Sequence, residues 1–248
     1  MQRVSVVGSP LSPYVRKVLV VLRLKGLEYE IDPVVPFFGD DRFTRLSPLR
    51  RIPVLIDERT TLADSSVICQ YLEDRFPEPR IYPDDVVARA QARWLEEFAD
   101  TRIADVVIWG LFNELAIGPG VWGRKPDPAV VARTRDVELP QVLDFLEQRL
   151  PVDEFLFGEL SIADISIACF FRNALFVRQA VDAARWPRVA AFVERVLALP
   201  PFVALRAIEE PLLRVPPARQ RERLLELGVP VMADSFGTSV PRPGMRRS

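Results

Sequence analysis

Histidine is missing: none of the 248 residues is His. That absence removes the Ser-His-Asp triad, the Cys-His dyad and most zinc sites, and no metal is expected. Cysteine is nearly missing. The two present, Cys69 and Cys169, lie in apolar helical patterns and are too few for a disulfide framework, so buried reduced thiols are expected. An excess of one charge is lacking too: 33 Lys and Arg stand against 34 Asp and Glu, a net −1. Binding nucleic acid by phosphate neutralisation needs surplus cations, so no nucleic-acid partner is expected. No run reaches the roughly eighteen apolar residues of a membrane span. The amino terminus has no basic region followed by a long apolar core. Neither a membrane nor a secretory signal is expected, and a cytoplasmic location follows by elimination.

What is present is an ordinary globular composition, 49% apolar and 27% charged. The length suits one large domain or two small ones. Val4 to Val7 reads as a buried strand, followed by a turn of Gly, Ser and Pro. Val15, Val18, Leu19 and Leu22 then keep the spacing of a helix that Gly26 stops. Glu28 to Val34 is a second strand, so the opening is a parallel crossover unit. A loop with one short helix spans Phe37 to Leu46. Ile52 to Asp57 and Thr60 to Leu62 read as a strand pair, and Asp64-Ser65-Ser66 opens a helix closed by Pro77 and Pro79. Residues 77–85 carry three prolines and read as a linker. Beyond them the strand signal ends.

Val87 to Leu115 is a long helical pattern, with Val87, Ala90, Trp94, Leu95, Phe98, Val106 and Leu111 on its apolar positions and a bend expected near Gly110. Val130 to Leu150 follows, with Val137, Val142, Leu143, Leu146 and Leu150 inward and Pro140 expected to kink it. Three more helices run over Ser161–Val177, Pro187–Leu199 and Phe202–Arg214. The expected division is 1–78, a linker at 79–85, an all-helical domain at 86–215 and an extension at 216–248. In that extension Ala218 to Leu227 suggests a charged helix, and the rest reads as a loosely held tail.

Four stretches carry chemistry or its framing. Ser12 stands where the first strand has ended and a helix begins, with Pro13 at the first helical position. A hydroxyl there faces any anion bound at the helix N-terminus. At Ile52-Pro53, a cis bond would turn the Ile52 backbone outward, towards an extended peptide ligand. Asp64-Ser65-Ser66 is a second helix start, whose N–H groups suit a carboxylate while Asp64 accepts from an ammonium. Ser161 and Asp164 have capping-box spacing, with Leu160 and Ile165 placed as a staple, and that reading is structural.

In this order, Ser12-Pro13-Tyr14-Val15-Arg16-Lys17, Ser47 to Leu55, Asp64 to Leu72 and the capping box resemble the soluble glutathione transferase family, from about Arg3 to about Arg214. The resemblance implies an α/β plus all-α fold: a thioredoxin-like βαβ–ββα domain followed by helices. It implies glutathione as co-substrate, with Ser12 as the catalytic residue at the sulfur. Arg51, Ile52 and Pro53, with Asp64 and Ser65, are implied to bind glutathione, Asp64 and Ser65 at its γ-glutamyl end. The commoner residue at that position is Glu or Gln, and Ser9 offers a second hydroxyl in the first turn. A hydrophobic electrophile is expected between the domains, against Tyr14, Phe37, Phe38, Trp109, Phe112 and Asn113, with Trp122 a further candidate. Core packing is expected for Trp94 and Phe98. A homodimer is implied as well.

Neither cysteine lies in the first turn, so thiol–disulfide exchange is disfavoured. Transfer of glutathione to an electrophile is the leading expectation. A glutathione-dependent isomerase or dehalogenase is a second, and a non-catalytic glutathione-binding protein a third.

Overall fold

The computed structural model describes residues 4–242; the expectations for Arg3 and for residues 243–248 lie outside the described residues. Four strands form one mixed sheet in the order β2-β1-β3-β4. They are β1 (Val4–Val7), β2 (Tyr29–Asp32), β3 (Val54–Ile56) and β4 (Thr61–Ala63). β1 pairs in parallel with β2 across the crossover helix α1 (Pro13–Leu24) and antiparallel with β3, which pairs antiparallel with β4. α2 (Asp41–Leu46) and α3 (Ser65–Arg75) complete the βαβ–ββα pattern. Val7, Val34, Phe43 and Val54 are fully enclosed at its centre.

By contacts the chain divides into residues 1–79 with 203–248, and residues 80–202. The extension therefore does not stand apart. α10 (Pro200–Leu212) leads into the first unit, and α11 (Gln220–Glu226) follows. Past α11 the tail lies along the outer edge of β2: Ile31 donates to Pro230 O at 3.0 Å and Met232 donates to Ile31 O at 3.2 Å. Met232 and Phe236 pack on the central cluster. The Asp32 carboxylate, at the end of β2, accepts from the Ser235 hydroxyl at 2.8 Å and from the Phe236 N–H at 2.7 Å. Burial pushes Asp32 above the usual carboxylate range, against the pull of those bonds and of the Arg221 and Arg42 charges. The expectation of a loosely held tail thus fails for residues 229–242. Its apolar residues are few, but Val231 lies on the sheet edge and Met232 and Phe236 on the core, with Val240 left exposed, and an edge strand is stable when another segment pairs with it.

The second unit is helical. α4 (Val86–Phe98) continues through Ala99–Ile103 and Asp105–Ile117, where the turns widen to an i→i+5 pattern, into α5 (Gly118–Trp122). Val86–Trp122 is one helix long and apolar enough to cross a membrane by length and composition; 44% of its apolar window is buried inside the structure. The sequence reading, which sought an unbroken apolar run, passes over this window. α8 (Ile162–Phe176), almost wholly buried, packs along the helix and makes it part of a core. A Cβ on Gly110 would come within 2.6 Å of the Thr134 side chain, so glycine there admits the neighbouring helix. α6 (Pro128–Arg133) passes through a second wide stretch, Thr134–Glu138, into α7 (Leu139–Glu147). Pro140, which has no N–H to give, stands in the first turn of α7, where that stretch ends. α9 (Pro187–Leu197) begins where the Glu147 carboxylate accepts from the N–H groups of Arg188 and Val189, each at 3.0 Å.

Four inward expectations are corrected, Ala90, which is exposed, among them. Val87, Trp94 and Val137 are all more than half exposed. The buried stripe of α4 runs through Ala92, Leu95 and Glu96 instead, so Val87 and Trp94 fall off it. Trp94 rests on the rings of Phe98 and Phe145, at 5.8 and 5.9 Å, as the outer layer of a surface cluster. In the second unit the capping box closes as its spacing leads one to expect, with Asp164 accepting from the Ser161 N–H at 2.9 Å and the Ser161 oxygen from the Asp164 N–H; the Ser161 hydroxyl also donates to the Asp164 carboxylate at 2.6 Å.

Ending the chain after Leu227 is expected to lower stability by on the order of 3 kcal/mol, because Met232 and Phe236 leave the cluster. The bared edge of β2 should also produce concentration-dependent light scattering. Urea unfolding with an unchanged midpoint would contradict this account of the tail.

Candidate functional site

The register of the sheet puts three turns at one end. Val7 pairs with Val54, and Val54 with Ala63. The chain leaves β1 after Val7, enters β3 before Val54 and leaves β4 after Ala63. The Gly8–Ser12 turn, the Ile52-Pro53 step and the Asp64–Ser65 helix start therefore lie side by side. Gly8 has φ 149°, and a Cβ there would stand 2.6 Å from Val15 and 3.0 Å from Ile52. Only glycine lets the first two turns approach this closely.

Each turn presents polar backbone or side-chain groups that the fold leaves open. Ser12 caps α1, and its oxygen receives only a long 3.5 Å approach from the Val15 N–H. Its O–H proton goes to no acceptor among the described residues. The Ile52-Pro53 bond is cis, and neither the N–H nor the C=O of Ile52 has a hydrogen-bond partner among the described residues. Ser65 is 4% exposed, yet its hydroxyl and its N–H are likewise unengaged. Buried or half-buried polar groups are normally paired, so three such sets in one place mark where a polar ligand belongs.

Asp64 has φ 81°, an unusual backbone for a residue with a side chain. One carboxylate oxygen caps α3, accepting from the N–H groups of Ser66 at 3.0 Å and Val67 at 3.3 Å. The two neighbouring arginines divide the work. Arg50 turns inward and ties the Pro36 and Gly39 carbonyls and the Thr44 hydroxyl at 3.1, 2.8 and 2.6 Å. Arg51 is exposed, and its guanidinium has no partner among the described residues. Lys17 of α1 donates to the Ser66 hydroxyl at 3.2 Å and joins α1 to α3.

The residues expected at the electrophile do not all fall in one unit. Tyr14 and Phe37 are half-buried in the first. The backbone of the Phe37–Phe38 loop is held by the tail, with Phe37 O accepting from Arg242 N and Phe38 O from Thr238 N, both at 2.6 Å. Trp109, Phe112 and Trp122 belong to the second unit. Trp109 and Trp122 are exposed there, while Phe112 packs at 6.3 Å on the ring of Phe176. Among the described residues no group of three or more His, Cys, Asp or Glu is placed to hold a metal ion. Both cysteines are buried, and neither is in a disulfide. Sequence reasoning missed Gln220 and Glu209, which touch the first turn and α1 from some 200 residues away and carry no local motif.

Family models describe the same two halves. Residues 6–80 match the glutathione S-transferase N-terminal domain, and residues 128–195 its C-terminal domain. Glutathione S-transferase 3 of Zea mays is 32% identical over 203 residues, covering 79% of this chain and 89% of the relative. The chain belongs to the glutathione S-transferase family. It thereby carries the general transferase activity of these enzymes. Among solved members, a glutathione S-transferase from Rhodospirillum rubrum F11 superposes with a TM-score of 0.75 at 26% identity, covering 90% of this chain and 99% of that one. One from Methylobacterium radiotolerans, in complex with glutathione sulfonate, superposes with a TM-score of 0.68 at 27% identity, covering 82% and 93%.

The double duty of Asp64 as cap and bent backbone gives a stability test. Asp64→Gly keeps the backbone and loses the cap, and should stay within a few tenths of a kcal/mol of wild type. Asp64→Ala loses the cap and is forced to a positive φ, and should unfold about 2 kcal/mol more easily. Equal urea midpoints for the two variants would contradict the assignment.

Proposed function

We propose that this enzyme binds glutathione across the three turns and that Ser12 activates its thiol for attack on a hydrophobic electrophile. The observation that carries the reading is the row of unengaged groups at one end of the sheet: the Ser12 hydroxyl, the Ile52 backbone pair and the Ser65 N–H and hydroxyl. An extended peptide suits the Ile52 backbone, with the cysteinyl unit beside Pro53. A carboxylate suits the start of α3, where Ser65 offers two donors and the remaining Asp64 oxygen accepts from an ammonium. Arg51 adds a cation for a second carboxylate.

The energetics fit neutral pH. A cysteinyl thiol ionises near ~8.5. A hydroxyl donated to the thiolate contributes roughly 1.5–3 kcal/mol and the α1 N-terminus roughly 0.3–1. Together they lower the thiol by roughly 1.3–3 units, so the thiolate dominates or competes at pH 7. Serine stays protonated throughout. The thiol proton passes to solvent and the sulfur lone pair forms the new C–S bond. With an aryl or alkyl halide, the halide leaves with the bonding pair. Tyr14, Phe37, Trp109 and Phe112 are proposed for the electrophile, and a cytoplasmic homodimer for the assembly. A sedimentation mass of 28.2 kDa, rather than twice that, would remove the dimer.

Ser12→Ala is expected to bind glutathione with little change and to raise the bound thiol's ionisation midpoint to roughly 8, leaving only the lowering due to the α1 N-terminus, read by ultraviolet thiolate absorbance. Turnover of an aryl halide should fall by roughly 10- to 150-fold, the hydroxyl's share of the stabilisation. A midpoint as low in the variant as in wild type would overturn the assignment. Turnover of cis-enoic or halogenated acids in preference to aryl halides would replace conjugation by isomerisation or dehalogenation.

A further inference from the structure

Ser9 and Ser12 share one turn, and their hydroxyls are used differently. Ser9 is 3% exposed. Its hydroxyl donates to Oε1 of Gln220 at 2.8 Å, and its oxygen receives the Leu11 N–H at 3.4 Å. Ser9 O in turn accepts from the Ser12 N–H at 3.0 Å, so the placement of Ser9 is passed directly to Ser12. Gln220 is also 3% exposed and is the first residue of α11. A second tie runs beside it. The Arg16 guanidinium forms a buried ion pair with Glu209 of α10 and reaches the Leu11 carbonyl at 3.5 Å. The segment that follows the helical unit thus grips the serine turn at Ser9 and braces it through Arg16.

The chemistry of the grip matters. A buried hydroxyl needs an acceptor, and Gln220 supplies a neutral one. A carboxylate in its place would satisfy Ser9 equally well but would set a negative charge beside the position meant for a thiolate.

We propose that Gln220 is a positioning residue. By accepting the Ser9 proton it fixes the turn and leaves Ser12 as the hydroxyl that donates to the glutathione sulfur. This rests on the reading of Ser12 given above and adds the residue that selects between the two serines. Gln220 itself touches neither the sulfur nor the electrophile.

The test compares the full-length wild type with Ser9→Ala, Gln220→Met and Gln220→Glu. Two readouts are taken: amide hydrogen exchange over residues 8–16 without ligand, and the thiolate absorbance of bound glutathione against pH. Gln220→Met and Ser9→Ala should each speed exchange in that segment about fivefold or more. Each should raise the thiol midpoint by about half a unit, and the double variant by no more than either alone. Gln220→Glu should exchange like wild type and still raise the midpoint. Wild-type exchange in Gln220→Met would overturn the proposal. So would a Ser9→Ala variant whose midpoint rises to that expected of Ser12→Ala, because Ser9 would then be the sulfur's partner. If wild type itself shows no lowered midpoint, the reading of Ser12 falls, and the exchange data alone decide whether Gln220 holds the turn.

Discussion

Val7 faces Val54, and Val54 faces Ala63, across the middle of a four-stranded sheet. The three turns that follow or precede those residues have no other reason to be neighbours. A strand's side-chain period is two, so a slip of one residue between β1 and β3 would move Val7 or Val54 to the opposite face of the sheet, away from the cluster they form with Val34 and Phe43. Both are fully buried, and their burial pins the register. The core therefore fixes where Ser12, Ile52 and Ser65 meet, although none of those residues contributes much apolar area. Packing energy spent on valines becomes positional accuracy for polar groups.

The C-terminal segment extends the same logic to the other side of the sheet. It contributes Met232 and Phe236 to the central cluster, pairs with the free edge of β2 and meets Asp32, Ser9 and Arg16 with polar partners. Buried polar groups such as Asp32 and Ser9 are costly without partners and specific with them. Their partners sit about 200 residues away, so the thioredoxin-like unit is completed only when the end of the chain is in place. The edge that the tail covers is the one an open sheet would present to other chains.

Much of this was legible in the sequence where the signal is local. Helix starts at Ser12, Asp64 and Ser161 are written in cap residues and spacing, and β1, β3 and β4 in short apolar runs bounded by turns. The order of the motifs carried the family. Long-range partners were not legible. Gln220 and Glu209 lie in a charged helical stretch and an ordinary amphipathic helix, and nothing nearby says that one meets a serine and the other an arginine across the chain. The tail looked unstructured because its few apolar residues have no period; they are anchors on an existing surface, not one face of a helix. Apolar type alone does not place Trp94 and Val137 inward, because a folded surface carries many apolar atoms.

The central claim is that glutathione is held by the unengaged groups of three turns at one end of the sheet. Titrating glutathione into isotope-labelled protein, and following backbone amide resonances, tests it most directly. The account predicts saturable shifts concentrated at Ser12 and its neighbours, at Ile52 and at Ser65 and Ser66. The edge of β2 and the helices of the second unit should move far less. Saturable shifts centred elsewhere with these amides unmoved, or no shifts at millimolar glutathione, would contradict it.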